Sequence, residues 1–318
     1  MQAKVGDDVL GEDSTVRALE EETARWFGLE AGLFCPSGTM TNQIAIRVHT
    51  QPQQEVICHE QAHIYLYEGG GIAYNSMASV RLLSGDRGIL AAEAVAQAIN
   101  PDDIHYPETG LVALENTMNK GGGACYTTEQ IAAIHQVCEQ HRLPLHLDGA
   151  RVFNALVATG DQASTYGRYF DSISVCLSKG LGAPVGSVLV GSSDFIRRAR
   201  RVRKVFGGGM RQAGYLAAAG LYALEHHVDR LAEDHTRAQV LAKALTEQDY
   251  VAEVLPVETN IVIFSLHDRS PADFVEQLKR RGILAISFGP NHVRMVTHLG
   301  VDDRQIERSV ESINNIYD

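Results

Sequence analysis

His146-Leu147-Asp148-Gly149-Ala150-Arg151 and, further along, Leu177-Ser178-Lys179-Gly180-Leu181-Gly182 each follow an apolar run and turn abruptly to small and charged residues. Two successive buried strands ending this way place an acid and a lysine at the carboxyl edge of an open α/β sheet, where such sheets bind ligands. Alone, Asp148 could be a helix N-cap and Lys179 a surface lysine lying along apolar surface. Together they match a specific chemistry. A cofactor with a pyridine ring and an aldehyde needs a carboxylate to keep its ring nitrogen protonated and an amine to hold it as a Schiff base.

Outward from these strands the chain alternates. Short β-rich runs at 55–58, 80–83, 111–114, 145–147, 172–177 and 187–190 are separated by helical spacing at 41–49, 91–99, 128–140 and 195–205. Before them, Val16, Leu19, Thr23, Trp26 and Phe27 repeat with helical spacing between Asp13 and Gly28, which reads as a capped amphipathic helix. This order predicts a mostly parallel, doubly wound sheet, with one antiparallel member where the 180–186 connection is too short for a helix. A long helical stretch over 211–246 leads to strands at 261–266, 284–288 and 293–297, a helix at 271–281 and a final helix from Asp302. The expectation is a large domain over 1–222 and a small α+β carboxyl-terminal domain over 223–318.

Composition narrows the class. Apolar residues make up 45% of 318, enough for one large core and a smaller one. No apolar run approaches the roughly 20 residues that cross a bilayer, and no secretory signal core follows Met1, so a cytoplasmic protein is expected. The net charge of −11 disfavours nucleic acid and acidic membranes as partners. Cys35, Cys58, Cys125, Cys138 and Cys176 are too scattered to suggest a disulfide framework or a thiolate metal site, and no metal is expected.

Other motifs sort around the same chemistry. Pro36-Ser37-Gly38-Thr39-Met40 opens a helix, and the free amides of Gly38 and Thr39 with the hydroxyls of Ser37 and Thr39 suit a phosphate. His59-Glu60-Gln61-Ala62-His63 matches the zinc-hydrolase pattern H-E-x-x-H, but His59 follows a strand where that chemistry needs a helix; His63 could instead stack on a pyridine ring. The 180–186 segment, Gly180-Leu181-Gly182-Ala183-Pro184-Val185-Gly186, has a dinucleotide fingerprint's glycines at the wrong spacing, with a strand after it instead of a helix. The basic run through Arg203 and Lys204 reads as a solvated or subunit-facing helix, and Gly207-Gly208-Gly209-Met210-Arg211 lets the backbone approach a ligand or partner closely. Arg151 and Arg294 are candidate forks for a substrate carboxylate.

These segments, with Val5-Gly6-Asp7-Asp8, Gly11-Glu12-Asp13, Leu114-Glu115-Asn116-Thr117 and Arg294-Met295-Val296-Thr297-His298, resemble the L-threonine aldolases of the aspartate-aminotransferase-like (fold type I) pyridoxal phosphate enzymes. The resemblance covers nearly the whole chain. It implies a large domain with a mostly parallel seven-stranded sheet, and reversible cleavage of L-threonine or L-allo-threonine to glycine and acetaldehyde. It also implies pyridoxal 5'-phosphate as cofactor and a homodimer or homotetramer with sites between subunits.

By the same resemblance Lys179 is the Schiff-base lysine and Asp148 the partner of the ring nitrogen. Ser37, Gly38, Thr39 and Arg211 contact the phosphate, His63 stacks on the ring, and Arg151 and Arg294 bind the substrate carboxylate. Tyr67 neighbours the substrate side chain, His105 is a second histidine near the β-hydroxyl, and Lys204 is a further cation near the phosphate or subunit boundary. The general base is left among His63, His105 and a water between them. Relatives usually begin with an Arg-Ser-Asp-Thr-Val-Thr segment, which is missing ahead of Val5. A β-eliminating lyase, an aminotransferase, and a cofactor-binding protein inactive for want of that segment are the alternatives.

Overall fold

A computed structural model describes residues 3–317. Its large sheet is built from β1 (Ala31–Cys35), β2 (Glu55–His59), β3 (Ser79–Leu83), β4 (Thr109–Glu115), β5 (Leu145–Gly149), β6 (Ser172–Cys176) and β7 (Ser187–Gly191), in the order β1-β7-β6-β5-β4-β2-β3. All pairings are parallel except those of β7, which runs antiparallel to both β1 and β6. The short 177–186 connection, with no helix, enforces that reversal as expected. β4, β5 and β6 are buried on both faces, and β5 and β6 alternate apolar residues with the buried polar His146, Asp148, Ser172 and Ser174.

The first helix, Ser14–Phe27, begins where Asp13 Oδ1 accepts the N–H groups of Thr15 and Val16, a cap worth about 1 kcal/mol. It ends at Gly28, whose positive φ of 64° disfavours other residues. Val16, Leu19 and Phe27 are fully buried in the large core. β1 was not foreseen, because a five-residue strand buried on both faces has no alternation to read. Gly32 is obligatory there, since a Cβ would stand 2.5 Å from the Glu20 carbonyl oxygen.

The expected long helix at 211–246 is two, Gly214–His226 and Leu231–Thr246, broken at 227–230. His227 Nδ1 donates to the Leu181 carbonyl oxygen (2.6 Å) at the break. Gly214–His226 runs unbroken through the expected boundary at 222/223, and Ala217, Ala223 and Leu224 belong to the large core. The large core reaches through the break to Val228 and Leu231. Beyond it, β8 (Val251–Val254), β9 (Ile261–Leu266), β10 (Ile286–Phe288) and β11 (His292–Val296) form an antiparallel sheet ordered β10-β11-β9-β8. β8, another strand the sequence hid, is an edge strand with no fully buried residue. The helices Leu231–Thr246, Pro271–Arg280 and Asp303–Asn314 share a separate apolar core with this sheet.

Candidate active site

The carboxyl ends of β4 and β5 place Glu115 and Asp148 in register with one another, and Asp148 in turn with Ser174 of β6. Lys179 lies five positions beyond Ser174, past the end of β6, exposed and free of any ion pair or side-chain hydrogen bond with the described residues. Both acids are buried, Glu115 at 6% and Asp148 at 3% exposure. Asp148 Oδ1 accepts the Ala150 N–H (3.1 Å) and Oδ2 accepts from Asn42 Nδ2 (2.9 Å). Gly149 lets the chain turn tightly there, because a Cβ would meet the Ser174 carbonyl oxygen at 2.7 Å.

His63 opens the short helix His63–Leu66. Its backbone N–H donates to Glu115 Oε2 (2.7 Å), and its Nδ1 bonds Glu68 Oε1 (3.0 Å). The hydrogen bond that His63 donates to the Glu68 carboxylate holds the imidazole's pKa above the usual histidine value against the opposing effect of burial. Burial, with the neighbouring Asp148 charge second, pushes the Glu115 carboxyl up to about 7. His63, Glu68 and Asp148 bring ligand-type atoms within 4.8 Å of one another. The gap between the two carboxylates is bridged by Asn42 Nδ2, which donates to both Glu68 Oε1 and Asp148 Oδ2 at 2.9 Å. An amide fills the place a cation would take. His59, the other histidine of the H-E-x-x-H match, ends strand β2 and accepts the Gln61 N–H at Nδ1, so no zinc-hydrolase helix exists there.

Arg151 follows β5, and Arg294 reaches over from β11 of the small sheet. Burial lowers the pKa of both guanidinium groups, and Arg294 lowers that of Arg151 further by like-charge repulsion. Arg151 makes no salt bridge or side-chain hydrogen bond with any described residue. Arg294 Nη1 donates only to Asn119 Oδ1 (2.8 Å), and its buried Nε has no partner. Two half-desolvated cations held together without a carboxylate form a receptor for one. Tyr67, half-exposed, sets its ring 5.6 Å from that of His63. The structure adds Lys120, whose Nζ lies 4.0 Å from the centre of the Phe288 ring and 5.7 Å from that of Tyr67.

At the first turn of the helix Gly38–His49, the Ser37 hydroxyl accepts the Met40 N–H (3.2 Å), leaving the first amides of Gly38 and Thr39 without intrahelical acceptors. The buried Ser187 Oγ, also unpartnered, lies 3.5 Å from where a Cβ on Gly38 would stand. These are anion-binding features.

Three expected site residues are not joined to this cluster. His105 lies in the segment before β4, beyond the amino end of the sheet, its side chain exposed and bonded to Asp103. A parallel strand carries its two ends to opposite edges, so His105 does not reach Asp148 of its own chain. Arg211 pairs with Asp7 in the amino-terminal segment, and Lys204 is exposed at the end of the helix Ser193–Val205. No hydrogen bond or ion pair links either to the cluster. The sequence reading missed Glu68, Asn42 and Lys120 as site residues, and cited Glu115 only within a motif. Glu115 carried the same signal as Asp148, an acid ending a buried strand. Glu68 precedes Gly69-Gly70-Gly71, and Gly71 marks a close approach, since its Cβ would clash with Gln43 at 2.5 Å.

The beta-eliminating lyase family model matches residues 1–269. The low specificity L-threonine aldolase of Escherichia coli K12 is 44% identical over 307 residues, covering 96% of this chain and 90% of that protein. Low-specificity L-threonine aldolase 1 of Arabidopsis thaliana is 42% identical over 304 residues, covering 93% and 85%. Among solved structures, the Leishmania major threonine aldolase superposes with a TM-score of 0.83 at 22% identity, covering 99% of this chain and 92% of that one. A Sphingomonas wittichii serine palmitoyltransferase gives 0.78 at 16% identity, covering 99% and 79%. With two lobes, an acid and a lysine on neighbouring strand ends and these relatives along nearly its whole length, the chain belongs to the beta-eliminating lyase family, in the company of the L-threonine aldolases.

Proposed function

We propose that this protein is a pyridoxal 5'-phosphate-dependent aldolase that cleaves L-threonine or L-allo-threonine reversibly to glycine and acetaldehyde. The observation that carries it is the pair of arginines, Arg151 and Arg294, that form no ion pair with any described residue, at the sheet edge shared by Asp148 and the unpaired Lys179. The donor set fits the cofactor. Orphaned Ser187 Oγ and the open amides of Gly38 and Thr39 suit its phosphate, Asp148 its ring nitrogen, His63 its ring face, and Lys179 its aldehyde.

When bound, the cofactor supplies an electron sink for the pair released as Cα–Cβ breaks. Arg151 and Arg294 would grip the amino acid's carboxylate and so fix the orientation of its Cα. Asp148, anchored by Asn42 and the Ala150 amide, keeps an acceptor in place for the ring N–H. His63 has Nδ1 committed to Glu68, which leaves Nε2 to take the β-hydroxyl proton directly or through a water. The balance closes with acetaldehyde leaving as the carbonyl product and one proton returning to Cα of glycine. Lys179, free of other partners, is the amine that would hold the cofactor's aldehyde.

His105 would have to serve a second copy's site. Its loop is suited to a contact, with Ile104 98% and Tyr106 52% exposed. A homodimer or homotetramer with sites between copies is part of this reading, as are Lys204 and Arg211 acting across that boundary. Among the described residues no helix is long and apolar enough to cross a membrane. Five free cysteines suit the reducing cytoplasm.

The test is Lys179→Ala. The variant should lose acetaldehyde production from threonine by on the order of 10³-fold or more, and with it the visible absorbance of the bound cofactor. Turnover within tenfold of the parent would defeat the reading. Pyruvate and ammonia from serine, with no aldehyde from threonine, would point to β-elimination instead.

A further inference from the structure

Strand alternation puts His146 and Asp148 of β5, and Ser172 and Ser174 of β6, on the face covered by the helix Gly38–His49. Behind Asp148 runs an unbroken line of buried polar groups. Asn42 Oδ1 meets His146 Nε2 at 3.1 Å, His146 Nδ1 meets Ser172 Oγ at 2.8 Å, and Ser172 Oγ meets His49 Nε2 at 2.8 Å. His49 closes the helix, seven residues or about 10 Å along its axis from Asn42, with its ring stacked on Phe195 at 4.5 Å.

The protons in this line have only one consistent arrangement. Asn42 faces two carboxylates, Glu68 and Asp148, so its amide nitrogen must point to them, which turns its oxygen toward His146. That oxygen can only accept, so His146 carries its proton on Nε2. Burial drives the His146 ring down to about 4 and the His49 ring, with further repulsion from His146 and Arg198, down to about 3, so both are neutral at pH 7. A neutral His146 with Nε2–H has a bare Nδ1, which takes the Ser172 hydroxyl proton. Ser172 Oγ in turn accepts from His49 Nε2–H. Every donor points the same way, toward Asp148.

We propose that His49, Ser172 and His146 form a one-way hydrogen-bond chain that, through Asn42, sets how strongly Asp148 accepts from the cofactor's ring nitrogen. They are positioning residues. None reaches the reacting atoms, and the chain's polarity rather than any single contact is what Asp148 reads, since aligned hydrogen bonds strengthen one another. The proposal rests on the cofactor assignment above, and its first readout is independent of it.

That readout is the histidine ring ¹⁵N spectrum of the full-length protein without cofactor. His146 and His49 should each show a protonated Nε2 and a bare Nδ1 at pH 7; a proton on His146 Nδ1 overturns the chain. The second uses protein loaded with ring-¹⁵N pyridoxal phosphate. In His146→Leu the ring-nitrogen resonance should move toward the unprotonated position and cofactor release should quicken by about tenfold. His146→Gln, whose amide can replace the Nε2–H donor to Asn42, should restore the parent resonance. Ser172→Ala, which removes one oxygen and little volume, should shift it the same way by less, and serves if His146→Leu does not fold. A parent-like resonance in both Leu and Ala variants would overturn the proposal alone. Failure of the parent to take up pyridoxal phosphate, with the tautomers in place, would overturn the cofactor reading and this proposal with it.

Discussion

Two groups of arginines, each at least partly withdrawn from solvent, stand in contrast. Near the amino-terminal segment, Arg203 donates to Asp8 (2.8 Å) and to the Phe34 carbonyl (2.7 Å), and Arg200 donates to Glu20 (2.8 Å), which itself accepts the Phe34 N–H. At the sheet edge, neither Arg151 nor Arg294 forms an ion pair with any described residue, although Glu115 and Asp148 stand near enough to act on Arg151. Taking a guanidinium out of water has a cost in both places, and the two groups differ in what offsets it. In the first group the chain supplies the anion, and the arginines tie β1 and the helix Ser193–Val205 to the segment before Asp13. In the second the anion must arrive from outside, which marks a binding site.

The contrast breaks most visibly by substitution. Arg203→Leu strands a buried Asp8 and should cost about 3–5 kcal/mol of stability, measured by denaturant titration, while the folded fraction keeps its KM. Replacing Asp8 and Arg203 together with leucine should recover part of that loss, since the penalty comes from an orphaned charge. Arg294→Leu should do the reverse. Relieving like-charge repulsion on Arg151 leaves stability unchanged or raised, while losing a charge-assisted contact of about 2–3 kcal/mol raises KM for threonine roughly 30- to 150-fold. A destabilised Arg294→Leu with normal KM would erase the distinction.

Much of this was legible in the sequence, for a physical reason. The alternating strands and helices, the reversal at β7, and Asp148, Arg151 and Lys179 are all encoded locally, by apolar runs that stop at charged or small residues. The parts that were not legible depend on convergence. Glu68 acquires its role only because the helix Gly38–His49 delivers Asn42 and Gln43 to it. Phe288 and Lys120 meet only because the small sheet folds over the loop after β4. The expected single helix over 211–246 failed because its break at 227–230 contains no proline or glycine to announce it. His105 came from family resemblance alone, and a single chain does not place it in the site.

A smaller effect distinguishes the acids of the second group. Glu115 has its carboxyl raised from 4.5 to about 7, chiefly by burial, so the folded state holds a proton that the unfolded state has already released. Its stabilising contribution is therefore complete below about 4.5 and lost as pH rises through about 7. Glu115→Gln should flatten the fall in denaturation midpoint across that window. It should also lower stability at every pH by one hydrogen bond, because a single amide oxygen cannot accept from both the His63 and Asn119 N–H groups. An unchanged slope would assign the pH dependence to His63, whose raised pKa acts in the same direction.

The smallest expected effect concerns Lys120, a further cation beside Arg294. Its ammonium lies 4.0 Å from the centre of the Phe288 ring, and Arg294 stands 4.9 Å from the same centre, so one aromatic ring helps hold both lobes' charges together. Such contacts are worth roughly 0.5–1 kcal/mol where water still reaches them. Lys120→Met should therefore raise KM less than about fivefold. The change should shrink at high salt, because a half-exposed charge acts on an anionic substrate through solvent. Arg294→Leu, which removes a direct buried contact, should keep its full effect in the same salt titration. If both variants respond to salt alike, Lys120 belongs with the clamp itself, and the edge holds three carboxylate-seeking groups instead of two.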